Sequence, residues 1–296
     1  MANLNEKSTH IYKTANERPI HLDVHIPERR IKGNPAIVWI HGGALINGDR
    51  DGRPERFQKY LDFGYTVFTI DYRLAPETKL PEIISDVQDA LTWVRENGPE
   101  IALIDPNRIA VAGNSAGGYL ALMTGTFATP PKAVIAFYGY GDIVGTWYSE
   151  PDPYYCTENP LVSEADAREH FGGPPITRPD QRPGNGEFYL YCRQQGIWPN
   201  EVGGRDIKED PAFFIPYCPE QNVRKTYPPT LLLHGNTDTD VPHDQSVNMA
   251  RALKADGIEH GFITIEGRGH GFDAWKDDPQ VIAAWDAVRD FLAQNV

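Results

Sequence analysis

The sequence predicts an α/β fold: a mostly parallel sheet of eight strands, flanked by helices on both faces, with a long inserted segment between strands 6 and 7. Three observations point to it. First, short apolar runs alternate with helical periods, and strands alternating with helices imply a parallel sheet covered on both sides. Second, several of these runs, such as Ala36-Ile37-Val38-Trp39-Ile40 and Thr66-Val67-Phe68-Thr69-Ile70, are continuous rather than alternating, as strands buried on both faces should be. Third, Gly113-Asn114-Ser115-Ala116-Gly117 lies between an apolar run and a helical stretch, so a sharp strand-to-helix turn belongs there.

Taken in order, 10–15 and 20–26 read as an antiparallel hairpin separated by Asn16-Glu17-Arg18-Pro19. A strand over 36–40, a helix over 55–63 and a strand over 66–70 follow. Ile83, Ile84, Val87, Leu91 and Val94 keep helical spacing, with Pro81 near the start and Gly98-Pro99 expected to close the helix. The run Arg108–Ala112 is the next strand, and a helix begins at Gly118. Strands at 133–137, 230–234 and 262–265 complete the sheet. Helices over 245–255 and 281–292 flank the last strand, the second with Val281, Ile282, Trp285, Val288 and Leu292 on one face.

The segment from Tyr140 to Tyr227 breaks this rhythm. It is rich in Pro, Gly and aromatic residues and shows no sustained period. Long connections of this kind are functional or disordered, and disordered chains are poor in aromatics. It is therefore read as an inserted lid over the catalytic end of the sheet. The expected division is 1–139 and 228–296 for the core and 140–227 for the lid.

Bulk composition narrows the function. The chain has 296 residues, 40% of them hydrophobic, enough for a substantial core. A formal net charge of −13 argues against nucleic acid, which needs a basic footprint, and gives anionic substrates no electrostatic help. No apolar run approaches the ~20 residues of a membrane span. Met1–Lys7 lacks the apolar core of a secretory leader. Three cysteines, Cys156, Cys192 and Cys218, read as reduced thiols of a cytoplasmic protein. No metal or cofactor is expected. The expected partner is a small-molecule ester, and a homodimer stays open.

The chemistry starts at Ser115. A serine hydroxyl is a poor nucleophile at neutral pH and needs a base within hydrogen-bond reach. In this topology the base lies after the last strand and a carboxylate lies on the loop before it, in the chain order Ser, Asp, His. His270, in Gly267-Arg268-Gly269-His270-Gly271-Phe272, meets the first requirement. His234, His243 and His260 are weaker candidates, and His234 is expected to brace the loop that follows it. For the carboxylate, Asp238 and Asp240 compete within Gly235–Pro242; Asp238 is preferred, leaving Asp240 as a loop-capping carboxylate. His41-Gly42-Gly43-Ala44 follows the third strand and supplies an oxyanion hole, with N–H groups of Gly43 and Ala44 donating beside that of Ala116. Gly42 gives the loop its path, and His41 anchors it. Tyr138 and Tyr140, just past the sixth strand, are candidate pocket residues, and the lid aromatics are expected to make a largely apolar pocket.

With these residues in place the chain resembles an α/β-hydrolase. It is most similar to the hormone-sensitive-lipase-like carboxylesterases, a family with an HGGG loop and a GDSAGG elbow. Asp71-Tyr72-Arg73-Leu74-Ala75-Pro76-Glu77 and Asn114-Ser115-Ala116-Gly117-Gly118 reproduce stretches of that family, and the resemblance continues from Pro228 to Phe272. It implies a cofactor-free serine hydrolase that cleaves a carboxylic ester through an acyl-enzyme, with Ser115, Asp238 and His270 as its triad. The chain departs from the family at Ala44, which replaces the third glycine, at Asn114, which replaces Asp, and in its short N-terminal extension and long central insertion. Thioester, lactone or amide cleavage uses the same intermediate. Prolyl-oligopeptidase-like peptidases share the C-terminal layout but need a propeller domain. A non-hydrolytic binder or a cyclase on the same scaffold also stays open, although such receptors lack the triad histidine.

Overall fold

The computed structural model describes residues 6–29, 31–184 and 187–296. Eight strands form one sheet: β1 (Lys7–Ala15), β2 (Arg18–His25), β3 (Asn34–Ile40), β4 (Thr66–Ile70), β5 (Ile104–Asn114), β6 (Ala133–Phe137), β7 (Thr230–Gly235) and β8 (His260–Ile265). Their order is β1-β2-β4-β3-β5-β6-β7-β8. The first two are antiparallel to their neighbours, and β3 to β8 all run parallel. The hairpin turn is tighter than expected: Asn16 and Glu17 alone make it, both at positive φ, and Arg18 and Pro19 already pair with Ala15 and Thr14. Positive φ at both central residues matches the twist of the flanking strands.

Alternation along the strands sorts the core into two layers. Val38 and Ile40 face a cluster with α2 (Leu80–Ala102), α3 (Ala116–Thr124) and α9 (Asp244–Ala255), represented by Val87, Leu91, Leu120 and Met249. Ile37 and Trp39 face the opposite cluster with α1 (Pro54–Asp62) and α10 (Pro279–Asn295), represented by Phe57, Tyr60, Trp285 and Val288. Successive side chains of a strand point to opposite faces, so both clusters are filled from the same apolar run.

Helix α2 does not stop at Gly98-Pro99 but continues through Pro99 to Ala102. Gly98 packs so closely on Ile104 and Phe68 that a Cβ there would lie 2.6 Å from the Ile104 side chain. Tertiary packing holds the last turn where local propensity would end it.

Between β6 and β7 the described residues form five short α-helices, α4 (Thr146–Ser149), α5 (Pro153–Thr157), α6 (Glu164–Arg168), α7 (Phe188–Gln195) and α8 (Trp198–Gly203), besides 3-10 turns. Their buried side chains, among them Tyr148, Phe188, Trp198 and Val202, belong to the same cluster as α2 and α3. Polar contacts seat the segment on loops at the C-terminal ends of β3 and β4. The Trp198 indole N–H donates to the Ala44 carbonyl at 3.0 Å. Arg182, itself buried, donates to the Ile46 and Ala75 carbonyls and pairs with Glu77. Cys156, Cys192 and Cys218 are free thiols. Among the described residues no helix is long and apolar enough to cross a membrane.

Candidate active site

Strand β5 delivers Ser115 at the C-terminal edge of the sheet, and α3 leads away from it. Ser115 has φ 55° and ψ −124°, a conformation unfavourable for a residue with a Cβ. Its N–H donates to the Phe137 carbonyl at 2.9 Å, which holds the turn against β6. The flanking glycines make the turn sterically possible: a Cβ at Gly113 would overlap the Gly117 carbonyl, and one at Gly117 would overlap the carbonyls of Ile40 and His41.

The loop after β8 brings His270 to this serine. Its Nε2 lies 3.0 Å from Ser115 Oγ, and its Nδ1 lies 2.8 Å from Asp238 Oδ2. Asp238, from the loop after β7, is buried. Its Oδ1 accepts from the backbone N–H groups of Asp240 at 2.9 Å and Val241 at 3.0 Å. His234 Nε2 lies 3.3 Å from Asp238 Oδ2, donates to the Val241 carbonyl at 3.0 Å, and leaves Nδ1 to accept from Ser246. His234 thus ties the loop down, as its place at the end of β7 suggested. His243 and His260 are engaged elsewhere, with Thr264 and the Ile258 carbonyl.

The titration of these groups follows from their partners. Burial would raise the Asp238 pKa, but hydrogen bonds from His234 and His270 outweigh it and hold the carboxyl well below the usual carboxylate range. Burial opposes the charged form of His270 too, which for an imidazole means that it works against protonation. The hydrogen bond to Asp238 and the charge of Asp240 outweigh it, so the His270 pKa lies above the ordinary histidine value.

Across the site, the loop after β3 wraps through three residues at positive φ: Gly43 at 116°, Ala44 at 56° and Leu45 at 63°. Among the described residues the backbone N–H groups of Gly43, Ala44 and Ala116 have no acceptor, the state expected of donors kept for a ligand. A Cβ at Gly42 would lie 2.7 Å from the Asn114 carbonyl oxygen, so the loop can approach the elbow only with glycine there. His41 is buried, stacks on Tyr72 at 4.2 Å and donates from Nδ1 to the Gly42 carbonyl at 2.8 Å. Burial lowers its pKa to about 4, so it is a neutral prop. Tyr72, in the Asp71–Glu77 stretch, returns a hydrogen bond to the His41 carbonyl.

Gly42, Gly43, Ala44, Ser115 and His270 all line one cavity of about 620 Å³. The chain is similar to proteins of two families and to many solved structures. The BD-FAE family model matches residues 22–158, and the Prolyl oligopeptidase family model matches residues 191–296. Esterase LipC of Mycobacterium tuberculosis is 30% identical over 82% of the chain and 54% of the esterase. Non-reducing polyketide synthase pkbA of Emericella nidulans is 29% identical over 97% of the chain, which spans only 14% of that protein's length. A Staphylococcus aureus crystal structure of unknown function superposes with a TM-score of 0.80 at 25% identity, covering 98% of this chain and 99% of that one. The chain has the α/β-hydrolase fold. The hormone-sensitive-lipase-like motifs are consistent with these matches, and the C-terminal match follows the shared layout noted in the sequence.

Three features of this site differ from the sequence reading. Tyr140 does not line the cavity. It is buried behind the site, stacked on Tyr119 at 4.9 Å and packed edge-on against Trp198 and Tyr148. Tyr138 does line it, with its ring edge-on to His270 at 4.6 Å. Second, the cavity is not an apolar pocket of lid aromatics. Among the described residues Tyr189 is the one aromatic of the segment between β6 and β7 on its wall, and Asn47, Asp49, Arg53 and Asp240 add polar groups to a mixed lining. Most of the other aromatics pack into the core or join a cage around Arg193, whose guanidinium is attracted to the ring faces, while Tyr154 stays exposed. Third, Asp240 caps no loop. Its Oδ1 accepts from Tyr155 at 2.8 Å, Tyr189 at 2.5 Å and Arg193 at 3.0 Å, and its Oδ2 lies 3.4 Å from His270 Nε2.

Sequence reasoning missed Arg193, Trp275 and the Arg56–Asp273 pair. Asp273 accepts from Tyr138 at 2.6 Å and pairs with Arg56 at 2.7 Å, so the phenol beside His270 is held from behind. Trp275, 58% exposed, forms part of the cavity rim. The available signal was faint: one arginine shortly after the aromatic run Phe188–Tyr191.

Proposed function

We propose that the chain is a serine hydrolase that cleaves a carboxylic ester through an acyl-enzyme, with Ser115 as nucleophile, His270 as base and Asp238 as the carboxylate that holds the imidazole. The observation that carries this reading is the unbroken line Asp238 Oδ2, His270 Nδ1, His270 Nε2, Ser115 Oγ, with spacings of 2.8 Å and 3.0 Å. The Nδ1–H donates to Asp238, so Nε2 is free to accept the serine proton. Ser115 Oγ then bonds to the acyl carbon. The carbonyl oxygen takes the negative charge toward the N–H groups of Gly43, Ala44 and Ala116, each such donor being worth ~3–4 kcal/mol by mutagenesis. The imidazolium returns its proton to the leaving alcohol, and water activated by the same histidine releases the acid.

The mixed lining, with polar groups from Asn47, Asp49, Arg53 and Asp240, suits an ester whose alcohol or acyl part carries hydrogen-bonding groups as well as apolar surface. The segment between β6 and β7, which contributes Tyr189 to the wall, acts as the lid of this site. A second reading, acyl release from a thioester, draws support from the polyketide synthase to which 97% of the chain is similar. Treatment with a fluorophosphonate tests the mechanism: stoichiometric labelling that disappears in Ser115→Ala is expected, and no labelling at pH 8 overturns it. Turnover of a matched ester and thioester pair then separates the two readings.

A further inference from the structure

Beyond the residues of the triad, we infer that Asp240 is a positioning residue for His270: a second carboxylate, held by the lid, that receives the charge of the imidazolium from the side of Nε2. This rests on the catalytic reading above. In the resting site Nε2 accepts the serine hydroxyl and carries no proton. Once the serine proton has moved to Nε2, a carboxylate oxygen stands 3.4 Å from it on the cavity wall. The Asp238 hydrogen bond serves Nδ1 alone, so the two carboxylates flank opposite nitrogens of one ring.

Three side-chain donors hold Asp240 in place. From α5, Tyr155 donates to its Oδ1; from α7, Tyr189 and Arg193 do the same. Arg193 also donates to the Asp240 backbone carbonyl at 2.8 Å and pairs with Asp152. Its guanidinium lies over the rings of Tyr155 at 4.6 Å and Tyr148 at 4.9 Å. Three donors on Oδ1 leave Oδ2 as the oxygen turned to His270. The other charges near the imidazole come from the core: Asp238 on the loop after β7, Arg56 on α1, and Asp273, which Arg56 and Tyr138 neutralise. Asp49 and Arg53 stand across the cavity. Arg56 opposes protonation of His270, whereas Asp238 and Asp240 favour it. Because all three side-chain donors to Asp240 belong to the segment between β6 and β7, that segment sets the electrostatics of the base as well as roofing it.

The test is the pH dependence of the fluorophosphonate labelling rate in the native protein and in Asp240→Asn, with Ser115→Ala as the blank and thermal melts to verify folding. Removing a negative charge beside the imidazolium destabilises the protonated form, so the midpoint of the acid limb should fall by at least about half a unit. An unchanged or raised midpoint in a folded variant overturns the inference. If Asp240→Asn does not fold, Tyr155→Phe carries the test. It keeps the carboxylate and removes one donor, so the midpoint must rise, and an unchanged or lowered midpoint sinks the inference. Failure of the native protein to label at all refutes the nucleophile itself, a separate result from any midpoint.

Discussion

Tyr138 presses the edge of its ring against His270 at 4.6 Å while its hydroxyl donates to Asp273 at 2.6 Å. The His270 imidazole is thus packed against a residue just past β6 as well as hydrogen-bonded to Asp238. Tyr138→Phe keeps the ring and loses the tether. Asp273 retains Arg56, so the expected stability cost is about 1 kcal/mol by chemical denaturation. Ester turnover should fall through kcat more than KM; a variant with native kcat and altered KM would assign Tyr138 to substrate contact instead.

Ser115→Ala and His270→Ala should each lower short-chain p-nitrophenyl ester turnover by at least ~10³-fold, since members of such a unit act together. Steady-state rates measured with matched active-site titration decide it. Retained turnover in either variant would refute the assignment.

The two aspartates should separate clearly. Asp238→Asn removes the acceptor that sets the His270 tautomer, and in serine proteases this change costs about 10⁴ in kcat. Here the loss should stay below that of Ser115→Ala. Asp240→Asn leaves the Nδ1 contact intact and should be the milder of the pair. A reversed order, with Asp240→Asn far more damaging, would move the triad carboxylate to Asp240.

The pH profile of kcat/KM has a predicted sign. His270 works as a base only when neutral, and its pKa is raised above the ordinary histidine value of about 6.5 by the hydrogen bond to Asp238 and the charge of Asp240, against its burial. Activity should therefore be lost as pH falls through a single midpoint above that value. Asp238, with its pKa held low, stays ionised through this window and adds no second step. A midpoint well below about 6 would contradict the geometry.

Arg193 is buried, and truncating it strands two carboxylates, Asp152 and Asp240. Arg193→Met should cost about 3 kcal/mol or more in denaturant unfolding, because breaking one side of a buried pair leaves an uncompensated charge. A loss below about 1 kcal/mol would show the aromatic cage to be dispensable.

The sheet, the elbow and the Ser–Asp–His order were legible because they depend on local pattern: continuous apolar runs, glycines around Ser115, and a histidine between glycines after the last strand. The C-terminus of α2 was not, since packing of Gly98 on Ile104 overrides the local stop signal. Tyr140 shares its flank of β6 with Tyr138, yet one faces the cavity and the other the lid core. That choice turns on the positive φ of Tyr138 and on the aromatic partners of Tyr140, two of which, Tyr119 and Trp198, are distant in sequence.

By itself, then, the sequence determined which residues could form a nucleophile, a base and an anion cradle, because each depends on residue type and short-range spacing. Only the tertiary structure decided the character of the cavity and the place of Asp240. Both depend on where the aromatic segment between β6 and β7 lands, because it carries a buried arginine, Arg193, whose charge is matched by Asp152 of the same segment and by Asp240 on the loop after β7.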